Sequence, residues 1–210
     1  LLVASFINPH DICYMAINHW ERASPAKRAK AKAARSKANK GAANAPHQSA
    51  LAEAMKPPPG VSEADFFARD LPPLPANLEP PADEPDVLTA ASHGAGFRAH
   101  AFANWGEQEW RLHRWAYCRL TERVDREIGQ VLQALRDGGL EENTLVVFSS
   151  DHGDHDAAHR LEHKSTFYEE AARVPLIIAA PGCATGKTCA RTVELVDLHA
   201  TLADLAGLEI

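Results

Sequence analysis

Three continuous apolar runs constrain the fold of this 210-residue chain more than any other feature of its sequence. They cover residues 1–7, 144–150 and 175–180. Apolar runs of this length, without alternation, are typical of strands buried on both faces. Before the second run, apolar residues recur at three- and four-residue steps, which predicts a long amphipathic helix from about Glu107 to Gly138. Strands that alternate with helices predict an α/β fold with a mostly parallel sheet and helices on both of its faces.

A long segment between the first run and this helix has a different composition. Residues 22–60 are Ala-rich and basic, with eight cations and no acids between Arg22 and Lys40. Residues 57–90 are Pro-rich and acidic. Neither composition provides a large apolar face, so we expect residues 22–104 to form an irregular insertion, with residues 22–60 poorly ordered or away from the core.

Composition excludes several classes of protein. A net charge of −6 argues against a general nucleic-acid binder, and no apolar run reaches the roughly 18 residues that a membrane span requires. Four cysteines are too few for a disulfide-built scaffold. Cys183 and Cys189 could form a disulfide or remain free thiols, and the sequence leaves both alternatives open.

Polar side chains follow the first two apolar runs. His10 comes after the first run, and Asp151 and His152 come directly after the second, with Lys164 a short distance along the chain. Ligands bind at the carboxyl ends of strands in open parallel sheets, so we expect these side chains to converge. A carboxylate and an imidazole are metal-ligand types, and lysine is suited to an oxyanion such as sulfate or phosphate.

The motif around these residues resembles the sulfatase family of the alkaline-phosphatase superfamily. The resemblance rests on TLVVFSSDHGD (144–154), His159, HKSTFYEE (163–170) and RVPLII (173–178), together with NPHD (8–11) after the first run. It covers residues 1–13 and about 105–210, so all 210 residues are interpreted as part of one sulfatase catalytic domain. It implies an alkaline-phosphatase-like fold, incomplete at the N-terminus.

The resemblance also implies a role for each motif residue. Asp151 and His152 would be ligands of a divalent metal, which the family resemblance suggests is calcium. Because His152 offers nitrogen, zinc or manganese remain alternatives. Lys164 would contact the sulfate group and His10 would assist proton transfer to the leaving oxygen. His159 and His163 are the candidate substrate-binding residues.

The family nucleophile is a formylglycine made from the first residue of a Cys/Ser-x-Pro-x-Arg motif. None of the four cysteines begins such a motif, and SPAKR at 24–28 does not match it. We therefore expect the nucleophile upstream of Leu1 and expect this chain alone to be inactive. By resemblance, the protein would be periplasmic or secreted.

The predicted function is hydrolysis of a sulfate ester of a carbohydrate or another small molecule. A metal and a lysine would offset the charge that develops as the S–O bond breaks, and a histidine would protonate the leaving oxygen. Two alternatives remain: a phosphodiesterase or phosphonate hydrolase of the same superfamily, and a non-catalytic binding protein that kept the fold.

Overall fold

The computed structural model describes residues 2–23, 45–94, 96–183 and 185–209. In this part of the chain the α-helices are α1 (Cys13–Ala23), α2 (Ala45–Ala54), α3 (Glu63–Asp65), α4 (Asp86–His93), α5 (Gly96–Asn104), α6 (Glu107–Asp137), α7 (Glu169–Ala172) and α8 (Asp197–Leu205). Strands β1 (Val146–Ser149) and β2 (Leu176–Ala179) form a two-stranded sheet. A π-helix (Phe66–Asp70) follows α3, and 3-10 turns lie at His10–Ile12, Glu141–Asn143 and Ala158–Arg160.

The hydrophobic core lies where α1, α2 and the N-terminal half of α6 meet. Its largest side chains include Trp110, Met15, Leu51 and Leu120, each about 1% exposed. The indole of Trp105 packs edge-on against that of Trp110, with ring centroids 4.7 Å apart. Aromatic pairs of this geometry add attraction to the apolar area that they bury.

The long amphipathic helix is confirmed in α6. At its start, the backbone N–H of Gly106 donates to the Glu109 carboxylate over 2.9 Å, which satisfies one of the free donors at a helix N-terminus. At its end, Gly139 has a φ of +65°, a conformation that glycine adopts without steric cost.

The parallel sheet is not confirmed. β1 and β2 pair antiparallel, with Val146 opposite Ala179 and Ser149 opposite Leu176. A parallel pair needs a crossover connection, usually a helix of a dozen or more residues. The chain between these strands contains only single-turn helices, so it returns in the opposite direction.

The expectation of a buried strand at residues 1–7 is wrong for the residues that the structure describes there. Residues 2–7 are not a strand, and Leu2 is 89% exposed. A strand needs a neighbour to accept and donate its backbone hydrogen bonds. In the described ranges, β1 and β2 pair only with each other.

The described part of the expected insertion is more ordered than its composition suggests. Between residues 45 and 104 lie α2, α3, the π-helix, α4 and α5. Leu51 and Ala54 are 1% and 8% exposed, so α2 does not lie away from the core as expected for residues 22–60. The basic run from 24 to 40 lies outside the described residues.

Two further sequence expectations concern membranes and cysteines. No helix among the described residues is long and apolar enough to span a bilayer. Cys183 and Cys189 are exposed free thiols.

Candidate functional site

One residue, Ser150, separates the end of β1 from the Asp-His-Gly loop. The Ser150 hydroxyl donates to the His152 carbonyl over 2.6 Å, and the His152 N–H donates to Asp151 Oδ1 over 3.1 Å. These local hydrogen bonds turn the chain sharply and leave the Asp151 side chain 85% exposed. The carboxylate is therefore accessible to a ligand.

Residue 153 has no room for a side chain, so only glycine fits at this position of the loop. Its N–H donates to the carbonyl of Ala171 over 2.8 Å. A Cβ at residue 153 would overlap the carbonyl oxygen of Glu170, which belongs to the backbone and has little freedom to move. Glycine at this position therefore allows the loop to pack directly against α7.

Asp151 and His152 present two donor atoms that fit one divalent cation. His152 Nδ1 lies 2.7 Å from the Gly153 carbonyl, which fixes the proton on Nδ1 and leaves the lone pair on Nε2. That Nε2 lies 3.5 Å from Asp151 Oδ2. Two ligands of one ion lie about 3 Å apart when each is about 2.0–2.5 Å from it. The described residues contain no group of three or more His, Cys, Asp or Glu side chains that could hold a metal ion, so this pair alone would supply at most two ligands.

His10 and Lys164 are in direct contact, although 154 positions separate them in the chain. Lys164 Nζ lies 2.9 Å from His10 Nδ1. Partial burial and the Lys164 charge lower the pKa of His10, so the neutral ring accepts from the ammonium and carries its own proton on Nε2. Asp151 and His152 also influence the pKa of His10, which places all four groups in one electrostatic environment. The structure thus brings the predicted metal ligands and the predicted catalytic residues into one region.

His163 lies against His10, with ring centroids 5.8 Å apart. Burial, together with the neighbouring Lys164 and Arg98 charges, lowers the pKa of His163 to about 3. The ring is therefore neutral at physiological pH and can bind only as a neutral donor or acceptor.

His159 is held by other residues of the chain. Its ring stacks on Tyr168 with centroids 3.8 Å apart and an interplanar angle of 15°. Its Nε2 lies 3.7 Å from the Glu170 carboxylate and 3.5 Å from the Asn77 amide. These contacts fix the orientation of the ring, whatever its part in binding substrate.

The loop from 155 to 170 is tied to a Pro-rich segment, residues 71–84, which we call the strap. Asn77 donates to Glu170 over 2.6 Å, and Arg160 forms two hydrogen bonds of 2.7 Å with the Glu79 carboxylate. Tyr168 donates to Glu84 over 2.7 Å. Charge-assisted and bidentate contacts of this kind fix geometry as well as adding free energy.

Helix α6 fixes the other side of the strap. The Arg111 guanidinium donates to the carbonyls of Leu71 and Pro72 over 2.8 and 3.0 Å, and Arg114 donates to that of Pro73. Arg114 also donates to the Asp156 carboxylate over 3.1 Å. The strap is thus clamped between α6 and the loop that carries Lys164.

Sequence reasoning missed a buried polar group behind this loop. His113 is fully buried and lies 3.8 Å from Asp156. Burial lowers the pKa of His113, but Asp156 and Asp154 raise it more, so the net shift is upward. Glu162 is 2% exposed, neither of its carboxylate oxygens has a hydrogen-bond partner, and burial raises its pKa to about 7. A histidine on α6 and an acid beside His163 give no sequence signal of burial, because both residue types usually lie at the surface.

The comparison with family models decides the family of this chain. The sulfatase model matches residues 1–208. The chain belongs to the sulfatase family. Among curated sulfatases, arylsulfatase K of Danio rerio is 40% identical over 102 residues, which cover 49% of this chain and 20% of that protein. The delta 4,5-hexuronate-2-O-sulfatase of Bacteroides thetaiotaomicron is 38% identical over 112 residues, which cover 51% of this chain and 23% of that protein.

Solved structures show the same relationship. A Bacteroides thetaiotaomicron structure assigned as a sulfatase matches with a TM-score of 0.61 and 30% identity, over 78% of this chain and 41% of that one. A phosphonate monoester hydrolase from Silicibacter pomeroyi matches with a TM-score of 0.55 and 28% identity, over 67% of this chain and 28% of that one. The chain therefore shares part of the alkaline-phosphatase-like fold of these neighbours, and it spans about a fifth of the length of the two curated relatives.

Proposed function

We propose that this chain is part of a metal-dependent sulfuric ester hydrolase that acts on a sulfated carbohydrate or another small sulfate ester. The contact between Lys164 Nζ and His10 Nδ1, 2.9 Å long and close to Asp151 and His152, carries the proposal. It provides a cation for the sulfate oxygens and an imidazole N–H for the leaving oxygen. The names of relatives that act on sulfate esters support the same substrate class.

Lys164 and His10 have complementary roles in this proposal. Lys164 binds the sulfate group and offsets the negative charge that grows on the ester oxygen as the S–O bond breaks. Because its Nδ1 accepts from Lys164, His10 presents Nε2–H, which can donate a proton to the departing alcohol. Lys164 therefore both binds the sulfate group and fixes the tautomer of the acid.

Asp151 and His152 would hold a divalent cation, with further ligands from outside the described residues. Such a cation supplies positive charge that binds and polarises the sulfate oxygens. Calcium is the ion that the family resemblance implies, and the imidazole nitrogen would suit zinc or manganese. The formylglycine nucleophile would come from a Cys/Ser-x-Pro-x-Arg motif, which this chain does not contain.

A phosphonate monoester hydrolase is the second candidate, because a protein of that name has the same fold over 67% of this chain. Lysine binds phosphonate and sulfate oxygens alike, so the residues described here do not separate the two activities.

One assay of the full-length protein separates the candidates. Sulfate release from 4-nitrophenyl sulfate and phosphonate release from a 4-nitrophenyl phosphonate monoester are measured in parallel, before and after a chelator. We expect sulfate release to be faster than phosphonate release. We also expect sulfate release to be lost with the chelator and to recover when one divalent metal is added back. Asp151→Ala should abolish that recovery. Preferred turnover of the phosphonate would reject the sulfatase activity, and chelator-resistant sulfate release would reject the metal.

A further inference from the structure

Lys164 lies between two residues that contact the same histidine. On one side, the backbone N–H of His155 donates to the carbonyl of His163 over 3.0 Å. On the other side, His155 Nε2 lies 2.8 Å from the hydroxyl oxygen of Thr166. His155 therefore holds the chain immediately before Lys164 and again just after it.

The side chain of His155 is suited to this role because it is buried, neutral and fixed in position. It is 2% exposed, and burial lowers its pKa to about 4. Its ring packs edge-on against those of His159 and Tyr168, with centroids 6.2 and 5.9 Å away. Both of these residues are hydrogen-bonded to the strap, so the ring of His155 has a rigid setting.

The backbone next to Lys164 has an unfavourable conformation. Ser165 has a φ of +94°, which lies in a region that residues with a side chain rarely adopt. Such a conformation persists where the surrounding contacts hold it. The two contacts with His155 lie on either side of Ser165, so they hold the turn from which the Lys164 side chain reaches His10.

A local role of Thr166 provides the competing explanation. Its Oγ1 also accepts from the backbone N–H of Tyr168 over 3.3 Å, just before α7 begins. Threonine hydroxyls stabilise turns in this way without any part in a functional site. If the turn were the whole role of Thr166, loss of its hydroxyl would affect the reaction only through the folded fraction of the protein.

We propose that His155 and Thr166 form a clamp that positions Lys164 against His10 for its contact with the sulfate group. The proposal rests on the sulfatase function proposed above and adds two positioning residues to it. Both act through Lys164 and neither touches the substrate.

The first test measures kcat and KM for 4-nitrophenyl sulfate with the full-length protein. Thr166→Val removes the hydroxyl and keeps the size of the side chain. It should lower kcat and also raise KM, so that kcat/KM falls by about 10-fold, the upper value for one neutral hydrogen bond. A smaller folded fraction would lower kcat alone.

Two further variants serve as controls for this measurement. Thr166→Ser keeps the hydroxyl, so its kcat and KM should stay close to those of the wild type. Thr121 lies on α6, and its exposed hydroxyl donates to the carbonyl of Tyr117 over 3.0 Å. Thr121→Val makes the same chemical change outside the clamp and should leave both constants unchanged.

Two double variants test whether Thr166 acts through Lys164 and His155. In Lys164→Ala no ammonium group is left to position, so the addition of Thr166→Val should change neither kcat nor KM. In His155→Leu the contact is already lost, so the addition of Thr166→Val should again have no effect. Additive losses in either double variant would overturn the proposal and assign Thr166 to the turn before α7.

A second measurement does not depend on turnover. The Lys164 charge helps to lower the pKa of His10, so displacement of the ammonium group should raise that pKa. An NMR titration of the full-length protein, with the His10 signal assigned by its loss in His10→Gln, should show a higher pKa in Thr166→Val than in the wild type. The Thr121→Val variant should match the wild type.

Two further outcomes would overturn the proposal: wild-type kcat and KM in Thr166→Val, and an unchanged pKa of His10 in that variant. If Thr166→Val does not fold, Thr166→Ala is judged by the same criteria, because it removes the hydroxyl without placing a methyl group against His155. Absence of any sulfate release by the wild type would instead reject the proposed function, and the pKa of His10 would then decide the clamp alone.

Discussion

At the residue scale, the site depends on a few side chains whose environment sets their chemistry. His10 and His163 are both kept neutral, the first mainly by partial burial and the second by deeper burial beside two cations. Neutral imidazoles can donate and accept hydrogen bonds without competing with Lys164 for the role of cation. Under the proposed function, the charge that faces a bound sulfate would therefore come from the lysine and from the cation that Asp151 and His152 would hold.

Glu162 leads to a prediction about pH. Burial raises its pKa in the folded protein to about 7, above the ordinary value of 4.5, so the folded state holds a proton that the unfolded state releases between these values. Folding stability contributed by the neutral acid is present below pH 4.5 and is lost as pH rises to 7. Glu162→Gln should remove this pH-dependent loss of stability. Relative to the wild type, its free energy of unfolding should therefore be higher at pH 8 than at pH 4.5, by up to about 3 kcal/mol.

Urea unfolding of the wild type and of Glu162→Gln at several pH values measures this difference. Glu53→Gln is a matched control, because Glu53 is exposed and pairs with Lys56 on its own helix. An equal effect of Glu162→Gln at pH 4.5 and pH 8 would show that Glu162 is ionised in the folded protein throughout this range.

At the element scale, the strap at residues 71–84 is the feature that connects the long segment before α6 to the site. Its backbone carbonyls accept hydrogen bonds from Arg111 and Arg114 on one side, and its acidic and amide side chains contact the 155–170 loop on the other. The sequence pattern predicted α6 and the positions of β1 and β2, because those elements carry clear periodicity or apolar runs. It could not predict the strap, since a Pro-rich segment is ordered here by tertiary contacts and not by its own propensity.

Removal of two strap contacts should release it from the loop. We expect the double variant Asn77→Ala, Glu79→Ala to expose residues 71–84 to proteases and to lower global stability by about 1 kcal/mol, since it removes one hydrogen bond and one bidentate ion pair, both at the surface. Limited proteolysis with mass spectrometry locates the first cuts. The exposed Glu53→Ala change serves as the control, and an unchanged cleavage pattern in the double variant would show that the strap does not depend on these contacts.

At the scale of the whole molecule, the chain has a helical core and a small sheet with an apolar surface. Phe148 and Ile177 on the two strands are 39% and 61% exposed, although their sequence is typical of buried strands. Two of the three predicted strands are therefore present, whereas residues 2–7 are not a strand. The parallel direction was also wrong, because the direction of pairing depends on the connection between the strands. His10 and Lys164 were predicted to converge from strand ends, and they do meet, although residues 2–7 are not a strand. Arg98 and Glu162 could not be predicted, because only the tertiary fold brings α5 to the Lys164 loop.

The most direct test of the central claim is the turnover of 4-nitrophenyl sulfate by the full-length protein and by two lysine variants. Lys164→Ala should keep the metal and reduce kcat by about 100-fold, the usual effect of deleting one charge contact to a transition state. Lys56→Ala, which removes an exposed lysine paired with Glu53, should retain wild-type kcat. A Lys164→Ala variant that keeps its fold and turns over the sulfate ester at the wild-type rate would contradict the assignment of this site.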